Sequence, residues 1–102
     1  MYSHKKMSLI TAILPMSTTM PIIRELHAMG IYTANKSTAR GSSSTSQRHD
    51  VEMEVMTVLV EEAKADEVFG LVYERGGLDK PSHGMIFQSA VSLASEYTLP
   101  SE

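Results

Sequence analysis

Twice along its 102 residues the chain sets a short apolar run directly ahead of a segment with helical spacing, and a stretch with almost nothing to bury separates the two copies. The first run, Ser8-Leu-Ile-Thr-Ala-Ile-Leu14, stops at Pro15. Its length, its Ile and Leu content and its proline boundary predict a buried strand rather than a helix. Ser17, Thr18 and Thr19 then offer N-caps, and Pro21 stands where a first helical turn tolerates it. Ile22, Ile23, Leu26 and Met29 share one helical face, and Gly30 is placed to end the helix. Ile31 to Ala39 alternates weakly and carries Thr and Ser, which predicts a second, more polar strand.

Gly41 to His49 is a Gly, Ser, Thr and Gln tract that cannot join a core and reads as a loop. Asp50 to Val60 is the strongest strand in the chain, with Val51, Met53, Val55, Thr57 and Leu59 on one face and Met56, Val58 and Val60 on the other. Glu61 to Arg75 has the apolar stripe of a helix at Ala65, Val68, Phe69 and Val72, closed by Gly76-Gly77. Leu78 to His83 is a loop around Pro81, and Gly84 to Ser89 a last short strand. Ala90 to Tyr97 fits either a strand or a helix. Residues 1–7 read as a flexible N-terminus with Met7 as an alternative start, 98–102 as a tail, and 8–97 as the domain, with 41–50 as its long loop. The order predicts an α+β chain of ferredoxin-like βαββαβ type, an antiparallel sheet with two helices on one face. The opposite face is expected to be apolar at positions such as Met56 and Val58, and self-association is its simplest cover.

Composition removes several classes of function. Nine basic residues against twelve acidic ones, a net charge of −3, leave no basic surface of the kind nucleic acid requires. The absence of Cys excludes disulfides, thiolate nucleophiles and Cys-ligated metals, and fits a cytoplasmic protein. Leu9 to Leu14 is too short to span a bilayer. No serine sits in Gly-x-Ser-x-Gly, no P-loop or dinucleotide fingerprint occurs, and no acid, base and nucleophile stand together, so an enzyme is not expected. The carboxylate pair Glu52/Glu54 reads as a solubilising strand end, and Glu61/Glu62 as a helix start favoured by the dipole. His4, His27, His49 and His83 have no ligand spacing, so no metal is expected.

Two loops carry chemistry. Arg40-Gly-Ser-Ser-Ser-Thr-Ser-Gln-Arg-His49 offers backbone N–H groups, hydroxyls and two guanidinium groups to an anion, or is simply a solvated hairpin loop. Lys80-Pro-Ser-His-Gly84 offers a cation, a hydrogen-bonding His83 and a glycine that permits close approach, or is a plain helix-to-strand turn.

Three motifs standing in order resemble the PII signal-transduction family. They are the strand and Pro15 followed by a helix ending in Met29-Gly30-Ile31, then Arg40-Gly41 ahead of the loop, then Gly84-Met85-Ile86-Phe87. The second resembles the Lys-Gly that opens the family's T-loop, and the third the Gly-Lys-Ile-Phe that ends its B-loop. The resemblance implies a homotrimer of the ferredoxin-like fold with a role in nitrogen regulation. A small effector (ATP, ADP or AMP) would lie in clefts between subunits, and a mobile loop would signal to a partner such as a membrane transporter or a regulated enzyme. Carried over by position, Asn35 would lie near the adenine, Arg40, Gly41 and Ser42 at the base of the T-loop equivalent, and Lys80, Ser82, His83, Gly84 and Met85 in the phosphate-facing loop. The chain departs from the family at Ser82-His83-Gly84-Met85, which replaces Gly-Asp-Gly-Lys, and at Glu96 and Thr98, where two Arg are expected. The loop Ser42–His49 is also much shorter than the family's T-loop and lacks the Tyr that is uridylylated in many members. These departures weigh against tight ATP binding, Mg-dependent 2-oxoglutarate sensing and uridylylation. The alternative is a CutA-like structural or metal-binding trimer, with His49 and Asp50 as its candidate ligands.

Overall fold

The computed structural model describes residues 2–3, 6–38, 52–80, 84–91 and 94–95. The elements in order are β1 (Tyr2–Ser3), β2 (Met7–Pro15), α1 (Met16–Ala28), β3 (Asn35–Thr38), β4 (Met53–Glu61), α2 (Glu62–Arg75), β5 (Met85–Val91) and β6 (Ala94–Ser95). The main sheet has the order β3-β4-β2-β5, and every neighbouring pair in it is antiparallel. The two apolar runs become the central strands, and the more polar segments form the edges. Helix α1 carries the chain from β2 across β4 to β3, and α2 carries it from β4 across β2 to β5. This is the ferredoxin-like layout expected from the element order.

The alternation of two settles which side chains meet the helices. Ile10, Ala12 and Leu14 of β2 are buried, and the register Ile10↔Val58 and Ala12↔Met56 puts Val58 and Met56 on the same face. They pack with Ile22, Ile23 and Leu26 of α1 and Ala65, Val68 and Val72 of α2 into one core. Each Val, Leu, Ile or Met among them contributes about 1.5–3 kcal/mol on burial. The expectation that Met56 and Val58 lie on the uncovered face is therefore corrected. The strand is apolar on both faces, so its sequence left the choice open, and pairing with Ile10 and Ala12 decides it. The face without helices presents Met53, Val55 and Leu59 instead.

Glu54 also departs from its reading as a solvated strand end. It lies on the helix face, 5% exposed, and Lys36 of β3 donates to its Oε2 at 3.1 Å. Helix α1 starts at Met16, with Pro15 in the N-cap position and no side-chain cap, so Ser17, Thr18 and Thr19 are inside the helix rather than ahead of it. Thr18 Oγ1 donates to the Pro15 carbonyl at 2.8 Å, and the Met16 N–H is satisfied by the Glu52 carbonyl at 2.8 Å.

Both helices stop in the same way. The Ile31 N–H reaches the Leu26 carbonyl at 2.9 Å and the Gly30 N–H the His27 carbonyl at 3.0 Å; Leu78 to Tyr73 (3.0 Å) and Gly77 to Glu74 (3.2 Å) repeat the pattern. These are Schellman endings, and they require the left-handed backbone that Gly30 (φ 86°) and Gly77 (φ 65°) supply. The helices are clasped by Arg75, whose Nε and Nη2 donate to the two carboxylate oxygens of Glu25, each at 3.0 Å. Those hydrogen bonds hold the Glu25 carboxyl below its ordinary value of 4.5, slight burial opposing and the Arg75 charge assisting. The same hydrogen bonds raise Arg75.

The polar strand expected over Ile31–Ala39 is regular only at Asn35–Thr38 within the described residues. Ahead of it, Thr33 takes the pairing position opposite Leu59 with its side chain. Its hydroxyl donates to the Leu59 carbonyl at 2.6 Å and accepts from the Leu59 N–H at 3.2 Å. The hydroxyl replaces the main-chain bridge, which is why the strand begins late. At the other edge β5 continues past Ser89 to Val91, and Ala94–Ser95 pairs antiparallel with Tyr2–Ser3. The segment that fitted either helix or strand is thus strand at its described positions.

Candidate functional site

The two loops singled out in the sequence leave the sheet at the same end. Thr38 pairs with Glu54 where residues 39–51 depart, Met53 pairs with Pro15, and Met85 pairs with Ile13 just after residues 81–83. Lys80 lies in the turn beyond α2, exposed, its N–H held by the Gly77 carbonyl at 3.0 Å. Gly84 follows at φ 123°, so close to β2 that a Cβ there would overlap the Ile13 carbonyl. Glycine at this point is a condition of β5 reaching its place in the sheet. Met85 is the first residue of β5, 52% exposed, and its register opposite Ile13 puts it on the face without helices. Asn35 opens β3 on that same face, opposite Thr57, and is exposed. Arg40, Gly41, Ser42, Ser82 and His83, with His49 and Asp50 of the metal alternative, lie outside the described residues.

Asn35 and Met85 stand on opposite edges of the sheet. Three inter-strand spacings, about 14 Å, separate their strands. One chain therefore does not bring them round a common small group.

Between those edges the uncovered face is ordered in rows. Ser37, Val55, Ile13 and Met85 form one row; Asn35, Thr57, Thr11 and Phe87 form the next; Leu59, Leu9 and Ser89 follow. None of these side chains is charged; the next row on this face, Met7 with Glu61 and Val91, brings in one carboxylate. Met85 and Phe87 remain 52% and 47% exposed, and those on β2 and β4 are half-buried. An uncharged sheet face of this extent is not a surface that a lone chain keeps in water without consequence. Thr11, Thr57 and Phe87 were not marked as functional positions by sequence. The signal for them was the period-two pattern of both central strands, but the registers that align those strands into rows are invisible in one dimension.

Among the described residues no group of three His, Asp or Glu side chains is placed to hold a metal ion. Among the same residues no helix is long and apolar enough to cross a membrane.

A four-stranded antiparallel βαββαβ sheet with both helices on one face, its last strand entered through Gly84 close against β2, defines a PII-like fold. Solved structures bear this out. PII of Arabidopsis thaliana bound to citrate superposes with a TM-score of 0.69 at 22% identity, over 86% of this chain and 79% of that one. The GlnK–ATP complex of B. subtilis gives 0.67 at 17% identity, over 85% and 83%. At these identities the likeness is one of fold. No family model matches the sequence, and no curated protein does.

Proposed function

We propose that the chain is a PII-like regulator without enzymatic activity. It assembles as a homotrimer and binds a small anionic effector, an adenine nucleotide by first expectation, in the clefts between copies. It reports occupancy to a partner protein through the loop 41–50. The observation that carries this reading is the uncharged open face centred on Val55, Ile13, Leu59 and Leu9. Further copies of the chain are its natural cover, because the uncharged patch between Met53 and Leu59 needs no charged complement, Glu61 standing only at its far end.

The position of the candidate residues supports the same assembly. Asn35 on one edge and Gly84 and Met85 at the other come together only if the edge of one copy lies beside the opposite edge of the next. Asn35 would then contact the base. Arg40, Gly41 and Ser42 would approach from the loop base, and Lys80 with Ser82, His83, Gly84 and Met85 would face the phosphates. The two solved structures with this fold carry citrate and ATP, one a polycarboxylate and one a polyphosphate. Both are compact polyanions of the kind that Arg and Lys side chains recognise. Loop order would change with occupancy through differential affinity for its conformations.

The test is a solution molar mass by light scattering with and without ATP, ADP and AMP, paired with calorimetric titration of each. The expected mass is three times the 11.2 kDa of the chain, with binding heat from at least one nucleotide. A monomer overturns the assembly. A trimer giving no heat with any of the three overturns nucleotide binding.

A further inference from the structure

Two buried oxygens at the loop end of the sheet have no hydrogen-bond partner: Oε1 of Glu54 and Oγ1 of Thr19. Glu54 is 5% exposed and Thr19 fully buried. The other carboxylate oxygen of Glu54 accepts from Lys36. Thr19 Oγ1 makes no bond back onto its own helix, unlike Thr18 beside it. Glu54 faces the helices in the row Leu14–Glu54–Thr38, two residues along β4 from Glu52, whose carbonyl holds the first N–H of α1, and Thr19 is on the buried face of α1 one turn further on.

A buried carboxylate oxygen wants a donor, and a buried hydroxyl can both donate and accept. Leaving both unmet is costly and rare in a native core. We propose that Thr19 Oγ1 and Glu54 Oε1 share one buried water, which donates to the carboxylate and completes the hydroxyl. This makes Glu54 a positioning residue for the loop stem. It ties β4 to β3 through Lys36 and to α1 through the water. The Met16 N–H on the Glu52 carbonyl forms a second tie between α1 and the returning strand. The base of the loop 39–51 is then set by the first turns of α1. The inference does not depend on what the clefts bind.

The test uses the full chain without nucleotide. A high-resolution crystal structure is expected to show a water within about 2.7–3.2 Å of both oxygens. Amide exchange at Lys36, Ser37 and Val55 is expected to rise about tenfold in Thr19→Val and to stay near wild type in Thr19→Ser. A direct Thr19–Glu54 hydrogen bond, a dry site, or unchanged stem exchange in Thr19→Val overturns the proposal. Should Thr19→Val fail to fold, the wild-type density together with Thr19→Ser decides it. A failed nucleotide titration leaves these readouts untouched, so the two proposals fail separately.

Discussion

Alanine in place of Gly84 is expected to be among the most damaging single-methyl additions this chain can suffer. The backbone there has φ 123°, where an L side chain costs on the order of 1–3 kcal/mol. The added Cβ would also stand 2.9 Å from the carbonyl carbon of Ile13 and closer still to its oxygen. Carbon atoms settle at about 3.5–4.0 Å, so the strands would have to part by at least about 0.6 Å. Met53, whose Cε lies 3.3 Å from that Cβ position, can swing aside, but Ile13 cannot. Its strand is paired on both edges, with β4 and with β5. The relief must come from lifting the start of β5, which loosens the pairs Ile13↔Met85 and Ala12↔Ile86 at about 1 kcal/mol per hydrogen bond. The total is about 3–5 kcal/mol, a drop in Tm of about 12–40 °C for a domain of this size. Thermal and urea unfolding at matched protein concentration measure it, since assembly makes Tm concentration-dependent. Gly70→Ala is the control. It lies exposed within α2 with nothing near the added methyl, and should gain about 0.5–1 kcal/mol. A Gly84→Ala protein within about 0.5 kcal/mol of wild type would refute the argument that close approach to Ile13 demands glycine.

Phe87 leaves 47% of its surface free, about 100 Å² for a ring of its size, so covering it contributes about 2.5 kcal/mol per copy. Phe87→Ala should therefore lower the mass seen by light scattering on dilution while the circular dichroism stays native; an unaltered dilution curve removes Phe87 from any interface. Lys36→Met strands the buried Glu54 carboxylate and should cost about 1–3 kcal/mol, less than a fully buried pair because Lys36 keeps 39% of its side chain in water. Adding Glu54→Leu should recover most of that in a urea double-mutant cycle, and strict additivity of the two changes would show the pair to be uncoupled. Glu25 sits below its unfolded value because of Arg75, so its contribution is complete above that value and disappears as pH falls through the lower folded one. Arg75→Gln should flatten the loss of Tm on acidification below about pH 5, more visibly at low salt; parallel pH profiles for the two proteins would count against the clasp.

The fold was readable because its two halves repeat one grammar: an apolar run, a helix with one greasy stripe, and a glycine that stops it. Leu26, Gly30 and Ile31, and Tyr73, Gly77 and Leu78, fulfil that grammar with the same hydrogen bonds. Harder to read was anything set by register. Met56 and Val55 are both apolar, and only pairing with Ala12 and Ile13 tells which one meets the helices. Glu54 looked like a surface carboxylate because its partner, Lys36, lies 18 residues away on another strand. Pro15 took the cap position from three better-suited side chains because the Glu52 carbonyl already satisfies the first helical N–H. Of the candidate site, the close approach at the start of β5 was legible from Gly84, while the tract after Arg40 lies outside the described residues. The distance between Asn35 and Met85 was not, since strand order sets it.

The uncharged face is crossed by Asn35, Thr57 and Thr11 in a single line. Pure hydrocarbon against hydrocarbon would tolerate sliding, because every offset is nearly as good as the next. A line of hydroxyls and a carboxamide does not, since a shift by one strand or one residue pair leaves those groups dry and unanswered. In the proposed assembly it would act as an alignment key: a second copy would have to arrive with hydrogen-bonding groups at matching positions, and a merely oily surface would be turned away.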